Sequence, residues 1–393
     1  MAAGRTIAVL GGTPAFVEPL HVAQVNLPSW DDVAAAFSGI FERHYFANHG
    51  PLVHRLDEAF AEATGTRHAV CVANGTVALM VLARALELSG EVIAPSFTFP
   101  ATVQALEWAG LTPVLCDVEA ETHMISPRTV EPVIGERTVG VMGVHAWGKP
   151  CDPDGLQTLC DRRGLALIFD ACHGVGCTYQ GRPLGNFGIG EAFSFHATKV
   201  MNGAEGGCIT TNDDDFAARL RTIRSFHPGE TFADVPTQMN AKMSEAQAAL
   251  ALLSLKDLDV NIRANIERYR GYAEGLEGLP GLSLLQYGQS ERNNHQYVVL
   301  EVDPDAFGLD RDQLLAALEA ENILCRRHFF PGVHRTLPQL RRGDELKNTE
   351  RLCARLLQLP NGQIMTRDDV ARVAEAIGDI HASRAELAAR SRR

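Results

Sequence analysis

With 393 residues, 46% of them hydrophobic and 21% charged, the chain is long enough to bury a large core and to form two domains. Its formal net charge of −12 comes with no long basic run, which argues against nucleic acid and anionic membrane as partners; an anionic small molecule would need a local basic patch. The N-terminal MAAGRTIAVLGGTPAF is broken by Gly-Gly-Thr-Pro and does not read as a secretion signal, and no stretch reaches the roughly 20 apolar residues of a membrane span. Nine cysteines without a C-x-x-C pair fit a reduced, cytoplasmic protein.

From about residue 53, helical stretches alternate with short β-rich runs. These are HAVCVA (68–73), EVIAPS (91–96), TPVLCDV (112–118), TVGVMGV (138–144), LALIFDA (165–171), EAFSFH (191–196) and GCITT (207–211). Helical patterns such as GTVALMVLARALEL (75–88) and PDGLQTLCDRRG (153–164) separate them. The strands are therefore expected to be mostly parallel and buried on both faces of a doubly wound α/β domain.

CVANGTVAL (71–79) sets Asn74, Gly75 and Thr76 between a strand and a helix, where free N–H groups and the positive helix end suit a phosphate. A plain helix cap has the same spelling. PSFTFPATVQALEWAG (95–110) opens the next helix behind Phe97 and Phe99, each readable as core on spacing alone. GVHAWGKP (143–150) nearly writes a P-loop, but Pro150 stands where the magnesium-binding hydroxyl belongs, which rejects nucleotide triphosphate hydrolysis.

Asp170 ends an apolar strand, where a lone carboxylate is costly unless paired, or caps the segment that follows; His173 lies just beyond it. The most informative stretch is EAFSFHATKVMNGAEGG (191–207). It delivers Ser194, His196, Thr198 and Lys199 into a turn containing Gly203, Gly206 and Gly207. A lysine so placed can serve a carbonyl or an imine once its pKa is lowered by burial or a nearby cation, or once it is held covalently. A lysine with an upstream acid is what pyridoxal phosphate requires: one residue to hold the cofactor, the other to face its pyridine nitrogen.

After the long helical span 244–276 the texture changes. QYVVLEVD (296–303), a helix near 310–320, the strand-like ILCRRHFF (323–330) and a final helix near 366–391 indicate a smaller α+β unit. The expected division is 20–255 and 256–393, with residues 1–19 packing peripherally. RRHFFPGVH (326–334) gathers Arg326, Arg327, His328 and His334 beside aromatics, as a diphosphate site or a solvated loop would. Cys325 reads as a buried structural thiol. No metal-binding spacing occurs.

FSFHATK (193–199), followed by GAEGG (203–207) and preceded by DACHG (170–174), resembles the DegT/DnrJ/EryC1/StrS family of pyridoxal phosphate-dependent sugar aminotransferases. The likeness runs from GGTPAF (11–16) to near the C-terminus and is nearest to members acting on nucleotide-linked 4-keto-6-deoxy sugars. It implies a fold type I aminotransferase with Lys199 and Asp170 catalytic. Gly75, Thr76 and Ser194 would hold the phosphate, with Asn74 departing from the usual serine, while Phe99 would stack on the ring and His173 touch it. QMNAKMSEAQAAL (238–250) resembles the segment whose Asn reaches the cofactor phosphate of a partner subunit, so Asn240 implies a homodimer with shared sites; a helix-capping Asn is the alternative. Lys242 stands where Arg is commoner and, with Arg326, Arg327 and His328, is a candidate for substrate contact.

The implied reaction moves an amino group from L-glutamate to a keto-sugar, foremost dTDP-4-keto-6-deoxy-D-glucose to dTDP-4-amino-4,6-dideoxy-D-glucose. Such a product serves amino-sugar biosynthesis for natural products, antibiotics among them, or surface glycans. Amination at C3 of a 3-keto sugar is the nearest alternative. A cofactor-binding regulatory protein without turnover is the alternative from another class, and Lys199 argues against a family dehydratase, which carries His there.

Overall fold

The computed structural model describes residues 5–22, 24–226, 234–235, 237–288, 290–343 and 345–390; residues 1–4 of the N-terminal segment and 391 of the last expected helix lie outside this set. The strands that matter are β1 (His68–Val72), β2 (Glu91–Pro95), β3 (Thr112–Cys116), β4 (Thr138–Val144), β5 (Ala166–Asp170), β6 (Gly190–Ser194), β7 (Gly207–Thr211), β8 (Leu282–Leu284), β9 (Val298–Val302), β10 (Arg341–Arg342) and β11 (Leu356–Leu359). β1 to β7 coincide within a residue or two with the seven apolar runs. They form an eight-stranded sheet in the order β10-β3-β2-β4-β5-β6-β7-β1. All neighbours are parallel except β7, which runs antiparallel to both β6 and β1.

The longer helices are α1 (Trp30–Arg43), α2 (Pro51–Thr64), α3 (Gly75–Ala85), α4 (Pro100–Trp108), α5 (Pro153–Arg163), α6 (Asp214–Arg224), α7 (Glu245–Lys256), α8 (Leu258–Gly275), α9 (Arg311–Ala320), α10 (Lys347–Arg355) and α11 (Arg367–Ala382). Because both faces of the sheet are covered, strand residues alternate between two cores. In β5, Leu167 and Phe169 join one, with Phe60, Phe97 and Trp147; Ile168 joins the other, with Leu79, Val92 and Ile209. α2 starts on Pro51 behind Gly50 and stops at Gly65 in the left-handed region (φ 67°). Its buried Val53, Leu56 and Phe60 recur at helical spacing, and Phe60 meets Phe193 and Phe195 edge-on at 5.2 and 5.0 Å. Burying such a ring contributes about 2–3 kcal/mol, and it fixes the far side of the strand that leads to Lys199.

β8, β9 and β11 make a separate antiparallel sheet. Its core draws in Ile7, Phe16 and Leu20 from the N-terminal segment with Tyr272, Val298, Leu300, Leu357 and Ile377. Leu20–His21 pairs parallel with Ile323–Leu324, so the start of the chain is stitched to its last third.

Three details differ from the sequence reading. The span 244–276 is two helices, broken at Asp257 (φ −92°, ψ 2°), where no Gly or Pro signals a break. The final helix breaks at Ser383 with similar angles. Of ILCRRHFF only Ile323–Leu324 is a strand; beyond it Arg326 makes a lone antiparallel bridge with Gln358.

Candidate active site

The C-terminal ends of β4, β5 and β6 point the same way, and there the strands release Val144, Asp170 and Ser194 into a cavity of about 370 Å³. An open α/β sheet presents its ligands at this edge. Asp170 is buried, and its carboxylate is paired within the protein: Oδ2 accepts the Thr102 hydroxyl at 2.7 Å and Oδ1 the Cys172 N–H at 3.0 Å. Thr102 lies on α4 and is itself bonded to Thr98.

Lys199 follows β6 by five residues and also lines the cavity. Its Nζ lies 3.1 Å from the Tyr297 hydroxyl. The electrostatics correct the expectation of a lysine activated by burial or a nearby cation. Burial pulls the amine down, but the Tyr297 hydroxyl, the Cys172 thiol and the Asp170 carboxylate outweigh it and leave it above its ordinary value.

At the start of α3, Asn74 caps the helix, its Oδ1 accepting the Val77 N–H at 2.9 Å. The N–H groups of Gly75 and Thr76 have no partner among the described residues. Glycine at 75 is required by proximity: a Cβ there would sit 2.7 Å from Ser194 Cβ and 3.3 Å from Cys172 Sγ. Two free N–H groups at a helix end, with the Ser194 hydroxyl against them, make an oxyanion cradle. Phe99, just before α4, leaves 56% of its surface exposed at the cavity, as a ring awaiting a stacking partner does; Phe97 is core, edge-on to Phe329 at 5.2 Å.

His173 lines the cavity with its ring 4.4 Å from that of Tyr297. Burial, then the charges of Lys199 and His328, hold it well below the usual imidazole range. Its Nδ1 accepts the Trp147 N–H at 3.2 Å, so the neutral ring carries its proton on Nε2. His328 also faces the cavity, pushed down to about 4 by burial, Lys199 and Arg326. Cys172 is an inert thiol, raised well above its ordinary value by burial and by Asp170.

Not every candidate converges here. Arg326 lines the cavity, whereas Arg327 turns away to Asp312 at 3.2 Å and lies over Phe330. His334 is buried between Ser96 and Glu350. Asn240 is exposed and, with Lys242 at 2.6 Å from its Oδ1, lies outside this cavity.

Sequence reasoning missed the stretch Asn293–Tyr297. Asn293 Nδ2 donates to Gly148 O at 2.7 Å, and Asn294 Nδ2 to His173 O and Val175 O at 2.8 and 3.0 Å. Gln296 accepts the Val200 N–H at 2.8 Å and donates to the Thr198 carbonyl, and Tyr297 holds Lys199. Four side chains of this stretch thus tie together three segments beside the cavity. The one available signal was the polar run Gln289–Gln296, which ends one residue before the apolar strand β9.

A cavity lysine, a buried carboxylate, an oxyanion cradle and an exposed aromatic face are the set that a phosphorylated pyridine aldehyde requires, and the residues fit pyridoxal phosphate. The sequence profile of the DegT/DnrJ/EryC1/StrS aminotransferase family matches residues 31–378. A dTDP-4-amino-4,6-dideoxy-D-glucose transaminase of Shigella dysenteriae is 31% identical over 366 residues, covering 92% of this chain and 99% of that protein. The Escherichia coli protein of the same name is 30% identical over 314 residues, covering 79% and 84%. Among solved structures, DesI in the presence of its TDP-sugar product superposes with a TM-score of 0.94 at 40% identity, covering 98% of this chain and 99% of that one.

Proposed function

Because this chain belongs to the DegT/DnrJ/EryC1/StrS aminotransferase family, we propose that it aminates C4 of dTDP-4-keto-6-deoxy-D-glucose to give dTDP-4-amino-4,6-dideoxy-D-glucose. The donor in this reading is L-glutamate. The observation that carries it is the pair Lys199 and Asp170 in one cavity with the Gly75–Thr76–Ser194 cradle. The names of the Shigella and Escherichia relatives, and the TDP-sugar of DesI, support the acceptor.

Pyridoxal phosphate, when bound, supplies the aldehyde that takes up the amino group and a ring that draws electrons from the carbon being deprotonated. The chain does the rest. Gly75 N–H, Thr76 N–H and the Ser194 hydroxyl would hold the phosphate, and Phe99 would cover the ring. The Asp170 carboxylate, fixed by Thr102, would keep the ring nitrogen protonated. His173 offers a neutral Nε2–H. With the cofactor in place, Lys199 Nζ would take the proton from the α-carbon of the donor and, in the return half, would give one to C4 of the sugar. A raised proton affinity makes Lys199 a poor free nucleophile and a strong base, and the Tyr297 hydroxyl seats it between the two tasks.

We further infer a cytoplasmic homodimer. All nine cysteines are free, and among the described residues no helix is long and apolar enough to cross a membrane. Phe41, Tyr45 and Phe46 are exposed, Phe41 lies edge-on to Phe46 at 5.3 Å, and Phe46 O accepts the N–H of Glu245, a few residues from the exposed Asn240. An aromatic patch there fits a second copy that would receive Asn240.

The test is the visible absorption of the purified protein. Its imine band bleaches with L-glutamate and returns with the dTDP-4-keto sugar. Failure of the band to appear with added cofactor overturns the role of Lys199, and recovery only with a 3-keto sugar overturns the choice of carbon.

A further inference from the structure

Besides Asn74 and Gln296, the cavity is lined by five carboxamides: Gln24 and Asn26 from the N-terminal segment, Asn265 from α8, Gln358 from β11 and Asn361 just after it. Some of these are occupied. Asn361 Nδ2 donates to His295 O and Gln296 O at 2.9 and 3.0 Å, and Asn265 Nδ2 to Asn294 O at 3.0 Å.

Gln358 is different. It is 5% exposed, and no protein group among the described residues bonds either end of its side chain. Gln24, 7% exposed, donates from Nε2 to His21 O at 3.3 Å, which leaves its Oε1 buried and unpartnered. The turn after β11 closes directly over it: a Cβ at Gly362 would fall 2.3 Å from Gln24 Cβ and 3.1 Å from that Oε1. Gln358 and Arg326 stand opposite each other in an antiparallel bridge, N–H to carbonyl at 2.8 and 3.2 Å, so both side chains leave the same face.

Buried amides without partners are rare and are costly in the absence of a ligand that pairs them. Their chemistry narrows that ligand. The orphan acceptor of Gln24 needs a hydrogen, which a carboxylate or a phosphate cannot give and a hydroxyl can. Gln358 offers a donor and an acceptor without charge. We propose that Gln24 and Gln358 form a neutral subsite for the ring hydroxyls of the sugar, beside the cation Arg326. This rests on the reading of a nucleotide-linked keto sugar as acceptor, and it separates the two half-reactions: the sugar uses the subsite and the amino donor does not. A sugar lacking the matching hydroxyl leaves the amides unpaired and is rejected.

The experiment follows the cofactor band in each half-reaction of the holoenzyme, for wild type and Gln358→Leu. The expected result is a rise of roughly 10-fold in the dTDP-4-keto-6-deoxyglucose concentration giving half-maximal rate, with the corresponding glutamate concentration unmoved. The ligand-free variant melts no lower than wild type, because an unpaired buried amide has been exchanged for an apolar side chain. An unchanged sugar dependence, or an equal loss with glutamate, overturns the subsite. Wild type supplies the second measurement, independent of any variant's folding: the 2-deoxy or the 3-deoxy analogue of the keto sugar binds about 10-fold more weakly, and parity of both with the parent overturns the proposal. If no keto sugar restores the colour of wild type, the acceptor assignment itself has failed, a result distinct from either.

Discussion

Lys199 Nζ and the Tyr297 hydroxyl are 3.1 Å apart although 98 positions separate them in the chain. The contact gives the amine, catalytic in the proposed reaction, a fixed seat. Tyr297→Phe keeps the ring, which packs on Trp147 and His173, and removes the oxygen. Because the hydroxyl is one of the groups holding the amine above its ordinary value, its loss moves the Lys199 pKa down. The expected outcome is a kcat lower by roughly 10-fold to 10²-fold with little change in KM. In the apoprotein, the pH midpoint for capture of a small aldehyde shifts to lower pH. An unshifted midpoint separates loss of packing from loss of the seat.

Asp170→Asn retains a side chain for Thr102 to bond but no negative charge for the ring nitrogen. Turnover falls by roughly 10²-fold or more while the cofactor still binds, as read from kcat and from cofactor content on the same sample.

Gly75→Ala forces a methyl to within 2.7 Å of Ser194 Cβ at the closed end of the cradle. The expected cost is about 1–3 kcal/mol in unfolding free energy, together with a weaker hold on free phosphate and on cofactor. Denaturant midpoints measured with and without cofactor separate the two effects.

The proposed homodimer with shared active sites predicts complementation. Lys199→Ala and Asn240→Ala proteins, each inactive, regain activity when mixed under conditions that exchange subunits. The hybrid holds one intact site, with Lys199 from one chain and Asn240 from the other. At random pairing the mixture recovers about a quarter of wild-type activity. No recovery, with exchange verified by tagged subunits, removes Asn240 from the partner's site.

Acid weakens the fold in a defined window. Burial, as the first cause, pushes His123, His295 and His328 down to about 4. Unfolded imidazoles take up a proton near 6.5 while the folded ones resist until about 4, so between those values the unfolded state holds more protons and stability falls as pH falls. Each such group contributes about 1.4 kcal/mol per pH unit within the window. Urea midpoints at pH 7, 6 and 5 check the slope, which His123→Gln reduces by one group's share.

Local spelling carried the parts of this protein that lie close together in sequence. The strands β1 to β7 were readable because each is a short apolar run between helical patterns. Asp170, Ser194 and Lys199 end or follow such runs, so their meeting at one sheet edge follows from the parallel order. The break at Asp257 left no trace, since neither Gly nor Pro marks it and the helical period continues. β10 is two arginines with no periodicity to detect. Tyr297, Gln24 and Gln358 were hidden for another reason: their significance lies in contacts across 98 residues or more, or in the lack of any contact, and a single sequence records neither.

The stitching by Asn293–Tyr297 has a mechanical corollary. This stretch runs straight into β9, the central strand of the small sheet, while its side chains grip the loops that bear His173 and Lys199. Loosening the small sheet therefore slackens Lys199 before the large sheet gives way. On slow warming, the enzyme falls silent while its far-ultraviolet helical signal is still that of the native protein.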